Sequence, residues 1–172
     1  MKLEAPAFRR GVIHFKTLIY LTLLASGGVF LLIAIMKTQK IVIEEVPKGQ
    51  RRPKFVRRGS FVTTFDPDRE SKLWIKHLCR EQISEIITCP IEMELIAYMP
   101  IPKSTSKRKV VLMLNNDTKH VKTPDGDNIF KKYSDALTGL AYNDDRQIWK
   151  ISIEKRYSMK PRVEITLSYE EG

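Results

Sequence analysis

The sequence predicts an α+β fold, a single domain with a mixed or mainly antiparallel sheet and two principal helices, preceded by an apolar N-terminal segment. Three observations carry this expectation. Stretches such as "QIWKISIEKRY" and "RVEITLSY" alternate apolar and polar residues, as half-buried strands do. Two other stretches repeat apolar residues at helical spacing, and no regular βαβ repeat links the two kinds. The chain has 172 residues, 42% of them hydrophobic, enough for one domain with a core and too few for two of ordinary size.

Residues 17–36, "TLIYLTLLASGGVFLLIAIM", carry no charge and match the ~20-residue length of a membrane-spanning helix. Basic residues lie on both sides, so charge gives no orientation. Two readings stand side by side. Either residues 1–35 are a leader that anchors the chain to a membrane, or they extend a cytoplasmic protein whose translation begins at Met36. On either reading the domain is residues 36–172, and most of the net charge of +10 lies within it.

Within the domain, "QKIVIEEV" reads as a strand, and "PKGQRRPKFVRRGS" as a basic loop broken by proline and glycine. "FVTTF" is a short strand. Asp66 is the expected N-cap and Pro67 the first helical residue of "DPDRESKLWIKHLCREQISEII", with Ile75, Cys79, Ile83 and Ile86 facing the core. "IEMELIAYM" and "VVLML" read as strands around the basic loop "PIPKSTSKRK". From about Asp127 to Leu140, Ile129, Tyr133, Ala136, Leu137 and Leu140 share one side of a second helix. "QIWKISIEKRY" turns through "SMKP" into "RVEITLSY" as an antiparallel hairpin, with Trp149, Ile151 and Ile153 on one face and Val163, Ile165 and Leu167 on one face of its partner. Cys79 and Cys89 are too few for a zinc site and read as reduced, buried thiols. His120 has no second ligand at suitable spacing and reads as a surface residue; His14 and His77 have no better claim.

Charge is distributed unevenly. Lys48, Arg51, Arg52, Lys54, Arg57 and Arg58 form a run without an acid, and Lys107, Arg108 and Lys109 form a second basic cluster. Such runs suit phosphates or an anionic surface. Yet "TPDGDNIFKKYSDALTGLAYNDDRQIWK" gathers Asp125, Asp127, Asp135, Asp144 and Asp145. A first-turn acid suits a helix dipole and explains Asp127 alone. Acids at a helix start and at a strand start would, if brought together, form a carboxylate nest whose repulsion Mg²⁺ or Mn²⁺ would relieve. Metal-assisted phosphodiester hydrolysis uses such a nest, with Lys131 one turn beyond Asp127 available to the phosphate.

"PDGDNIFKKYSDAL" followed by "NDDRQI" resembles the RusA-type Holliday-junction resolvases, whose pattern is roughly P-D-x-D-N, a lysine four residues on, D-A-L, then D-D-x-Q. "KGQRRPKF" is similar to the basic, proline-containing motif of that family, and the likeness runs from about Lys40 to Tyr169. It implies a homodimeric, Mg²⁺-dependent endonuclease that binds four-way DNA junctions and nicks two opposing strands, acting in recombination and repair. By position it makes Asp125, Asp127 and Asp145 metal-binding carboxylates and Lys131 the essential lysine, with Asp144 a further metal candidate. Asn128, Asp135 and Gln147 match the pattern in structural roles. Two rivals remain: a catalytically inert DNA-binding relative, and a membrane-anchored interaction protein whose basic loops meet lipid.

Overall fold

The computed structural model describes residues 13–23, 29–59 and 61–171, with side chains from residue 36 onward apart from those of Arg58 and Glu171. Seven strands and three helices follow in the order β1 (Ile13–Leu23), β2 (Val29–Ile43), β3 (Lys54–Arg58), β4 (Phe61–Phe65), α1 (Arg69–Cys79), β5 (Ile91–Pro100), α2 (Lys107–Leu114), α3 (Gly126–Leu137), β6 (Ile148–Ser158) and β7 (Arg162–Glu171). Five strands form one mixed sheet in the order β1-β2-β7-β5-β6, while β3 and β4 pair with each other as a separate ribbon. The α+β expectation holds, with a third helix added.

Alternation builds the core. Ile91, Met93, Leu95, Ala97 and Met99 of β5, with Val163, Ile165, Leu167 and Tyr169 of β7 and Ile41 and Ile43 of β2, point to one face and are buried. Ile75 and Cys79 of α1 and Ile129, Tyr133, Ala136 and Leu137 of α3 close over it. The result is two layers, helices on a sheet.

Four expectations change. The described parts of the apolar run, residues 17–23 and 29–36, lie in β1 and β2, which pair antiparallel from Ile13 opposite Gln39 to Leu23 opposite Val29; residues 24–28 of the run lie outside the described residues. Its Thr, Ile and Tyr content suits extended backbone, and no helix among the described residues is long and apolar enough to cross a membrane. β6 and β7 run in opposite directions but are not a hairpin, because β5 lies between them, parallel to β6 and antiparallel to β7. β7 buries its whole apolar face and so takes an interior place, whereas Trp149 and Ile151 of the edge strand β6 are 65% and 52% exposed. "VVLML" belongs to α2, where Ser106 stands at the N-cap and Met113 is buried. Finally, α1 ends at Cys79 and leaves Ile86 exposed. Its N-cap is Asp68, while the Asp66 carboxylate accepts from the Asp68 N–H at 2.9 Å.

Both cysteines are free; Cys79 is buried, with its thiol pushed up to about 12 chiefly by desolvation, and Cys89 is half-buried. His120 is buried against the Tyr157 ring at 4.9 Å, not on the surface.

Candidate active site

Asp125 caps α3 with extended backbone (ψ 148°) and accepts the Ile129 N–H at its carbonyl, 3.0 Å, while its carboxylate makes no capping bond. Gly126 packs toward Ile153 of β6, and Lys155 Nζ donates to the Lys122 and Pro124 carbonyls at 2.9 and 3.1 Å. These contacts fix the start of α3 on the sheet edge. Asp127 and Lys131 are exposed on the outer face, one turn apart. Among the described residues, none makes a hydrogen bond or ion pair with the side chains of Asp125, Asp127 or Lys131, so their charges are uncommitted there.

Asp144 and Asp145 stand at the entrance to β6, on a single 3-10 turn (Asp145–Gln147). There the two acids diverge. The Asp144 carboxylate accepts from the Arg146 N–H at 3.0 Å and from Arg146 Nε and Nη2 at 2.9 Å each, which holds its pKa well below the usual carboxylate range. Gln147 completes a capping box by accepting the Asp144 N–H at 3.0 Å, and its amide donates to the Ile87 and Cys89 carbonyls at 2.9 and 3.0 Å. Asp144 is thus occupied in shaping the turn, and Asp145 is the exposed member of the pair. Among the described residues, no three His, Cys, Asp or Glu side chains gather closely enough to hold one ion. In the single chain, therefore, Asp145 does not close a three-carboxylate set with Asp125 and Asp127. Chemically, the two carboxylates flanking Gly126 suit a hard cation, being oxygen donors with no competing partner.

The basic run docks directly on this end of α3. Gly49 lies so close that an added Cβ would meet Pro124 Cβ at 2.9 Å and Asn128 Cβ at 3.2 Å, which explains a glycine there. The Gln50 N–H donates to the Asn128 carbonyl at 2.8 Å, and its side chain donates to Asp135 at 3.1 Å. Asp135 also meets Lys72 of α1 at 3.4 Å. Asp135 thus ties α3 to the basic run and to α1, while Asn128 meets the basic run through its backbone carbonyl. Lys48, Arg52, Lys54 and Arg57 are left exposed, and Lys107, Arg108 and Lys109 are exposed on the first turn of α2.

Arg51 is exposed like its neighbours but differs in being tied to the protein by hydrogen bonds. Its N–H donates to Asp68 at 2.6 Å, its Nε to the same carboxylate at 3.1 Å, and its Nη2 to the Pro67 carbonyl. Asp68 is 2% exposed and also faces Lys132 Nζ at 3.5 Å, itself 1% exposed. Burial opposes ionisation of Asp68, but the Arg51 N–H, the Lys132 charge and the Arg51 guanidinium outweigh it and lower its pKa. This buried node joins the basic run to both helices. Sequence reasoning missed it, although Lys132, three residues after Ile129 and four before Ala136, sits at spacings that mark the apolar face.

The profile of the endodeoxyribonuclease RusA family matches residues 44–168, a span that reaches from the basic run into β7 and contains every candidate site residue. The uncharacterised protein YqaN of Bacillus subtilis (strain 168) is 33% identical over 133 residues, covering 74% of this chain and 94% of that protein. With the uncommitted carboxylates of α3, the docked basic run and the DD-x-Q turn all inside the matched span, this chain belongs to the RusA endodeoxyribonuclease family.

Proposed function

We propose that the protein is a Mg²⁺-dependent endonuclease that binds four-way DNA junctions and resolves them by paired, symmetric nicks in recombination and repair. One observation carries the reading: Gly49 and Gln50 dock on Pro124, Asn128 and Asp135, setting an acid-free basic run beside two carboxylates with no protein partner. Cations to hold the DNA backbone and acids to hold a metal thus share one end of one helix.

Each residue has a part. Asp125 and Asp127 would hold the ion from the helix start, and Asp145, which does not reach them within the single chain, would add its charge from the β6 entrance, where the Asp144–Arg146 pair and the Gln147 cap set its position. When bound, Mg²⁺ or Mn²⁺ supplies the charge that makes a water nucleophilic at neutral pH and offsets charge on the leaving oxygen. Lys131 sets a positive charge against the phosphate. Lys48, Arg52, Lys54, Arg57 and Arg58 contact backbone phosphates, as do Lys107, Arg108 and Lys109, whose place in a helix's first turn adds to the positive potential. Arg51 works mainly through Asp68, holding the run in place. Two symmetric nicks need two sites related by a two-fold axis, hence a homodimer. The edge strand β6, with Trp149 and Ile151 exposed, is a surface suited to a second copy. Residues 36–172 should suffice for folding and cleavage, because every motif lies there.

The test is the product formed by purified protein on a synthetic four-way junction with and without Mg²⁺. Paired nicks at symmetric positions, present only with the metal, are expected. Tight junction binding without nicking in Mg²⁺ or Mn²⁺ would favour the inert DNA-binding relative instead.

A further inference from the structure

Among the described residues, the ribbon of β3 and β4 pairs with no other strand, and every side chain described on it is exposed. Two-stranded hairpins are at best marginal alone in water. This one also presents large apolar groups to solvent: Phe55 is 76% exposed, Phe61 75%, Phe65 56% and Val62 65%. The register sets Lys54 opposite Phe65 and Arg57 opposite Val62, so cations and apolar groups interleave. Phe61 and Phe65 share one face of β4, and Phe55 takes the other face of the ribbon.

We propose that this ribbon is the branch-reading element, with Phe61 and Phe65 stacking on DNA bases that are unstacked at a junction. The proposal rests on the reading of the chain as a junction endonuclease and adds the residues that tell a branch from ordinary duplex. Charge selects DNA over a second copy of the chain as the occupant. From Val46 to Phe65 there are six basic residues and no acid, so two ribbons facing each other would set cation against cation. A phosphate-rich partner relieves that charge. Aromatic rings on a cationic platform are the means by which proteins hold unpaired bases, because every base has a π-face and every nucleotide a phosphate. A two-stranded ribbon is also narrow enough to enter a major groove. The ribbon follows directly on the basic segment docked at Asp125 and Asp127, so bases held there lie next to the proposed cleavage centre.

The experiment measures binding in EDTA, where cleavage is absent. Its probes are a four-way junction carrying 2-aminopurine beside the branch point and a linear duplex of the same sequence. Wild-type protein should quench or shift the 2-aminopurine signal in the junction only. Phe61→Ala with Phe65→Ala should weaken junction affinity at least about tenfold and abolish the signal, while duplex affinity changes less than about twofold. Phe61→Trp with Phe65→Trp should preserve both, and Phe61→Leu with Phe65→Leu should not, since leucine keeps apolar bulk without a stacking face. Equal losses on junction and duplex, or no loss on either, overturn the proposal while leaving the junction-endonuclease reading intact. Dissociation of a sedimenting dimer by the alanine pair also overturns it, in favour of a second copy on the ribbon. Failure of the wild-type protein to bind the junction would instead sink the endonuclease reading, and the proposal with it.

Discussion

Lys131 and Lys132 are chain neighbours on α3 that belong to two different regions. Lys131 is exposed on the outer face with Asp127, without a partner among the described residues; Lys132 is 1% exposed in the seam where α3 meets the start of α1, facing the similarly buried Asp68. The same pair of residue types, a lysine and an aspartate, is thus left uncommitted in one region and neutralised in the other. Evolution has no stability reason to leave like charges unpaired beside Asp125, whereas a buried lysine is tolerable only with its partner. Environment, rather than residue type, separates the group free to meet a ligand from the group that holds the fold.

The largest expected effect breaks the buried side. Asp68→Asn leaves Lys132 buried without a counter-charge and weakens the hold on Arg51, so stability should fall by about 3–5 kcal/mol, read as the shift in a urea-unfolding midpoint. The sign with pH follows from the lowered pKa of Asp68, whose ordinary value is 3.8. Its contribution is present at neutral pH and is lost as pH falls through the folded-state value. The wild type should therefore lose more stability than Asp68→Asn on acidification below about pH 4. A loss under about 0.5 kcal/mol at neutral pH, the range of ordinary surface changes, would show that the seam does not need its ion pair.

On the exposed side, Asp127→Asn should reverse the pattern. The side chain keeps its size and loses its charge, so nicking in Mg²⁺ should fall at least about a hundredfold, roughly 2.7 kcal/mol of transition-state stabilisation. The thermal midpoint should hold, and junction affinity in EDTA should stay equal or tighten slightly, because one repulsion against phosphate is removed. Normal nicking by the folded variant would sink the metal assignment. Methionine at the two lysines sharpens the contrast: Lys131→Met should cost at least about tenfold in nicking and little stability. Lys132→Met should cost stability and leave the nicking rate of the folded fraction near normal. Equivalent phenotypes would erase the distinction between the two regions.

Much of this was legible because it rests on local rules. Alternation found β5, β6 and β7, helical spacing found the core face of α3, and the spaced aspartates marked the site end of that helix. What escaped depends on partners distant in sequence. β6 and β7 read as a hairpin because their linking turn is short, and only the complete burial of β7 between β2 and β5 excludes that pairing. "VVLML" suggested a strand by its paired valines, although Ser106 and the absence of Pro and Gly after it permit a helix. Lys132 and Asp68 lie 64 residues apart, and neither predicts the other. The basic run read as one solvated class of cations, yet folding distinguishes Arg51 from Arg52.

That last difference yields the smallest effect and the finest test. Arg52 is exposed and makes no hydrogen bond or ion pair among the described residues, so Arg52→Ala should remove one phosphate contact and nothing else. The slope of log affinity against log salt should flatten by about 0.9, with stability unchanged within about 0.5 kcal/mol. Arg51 spends its N–H, Nε and Nη2 on Asp68 and Pro67. Arg51→Ala retains the backbone bond and loses the guanidinium contacts, so it should lower stability by about 1.5–3 kcal/mol, the range for hydrogen bonds to charged groups. Its salt slope should change less than that of Arg52→Ala, because a guanidinium facing Asp68 is partly neutralised before DNA arrives. Measuring junction affinity in EDTA at four salt concentrations, with urea unfolding on the same preparations, separates the two arginines. Identical slopes and identical midpoints would mean that the Asp68 contact does not distinguish them in solution, and the boundary between anchoring and DNA-binding cations would then have to move beyond Arg51.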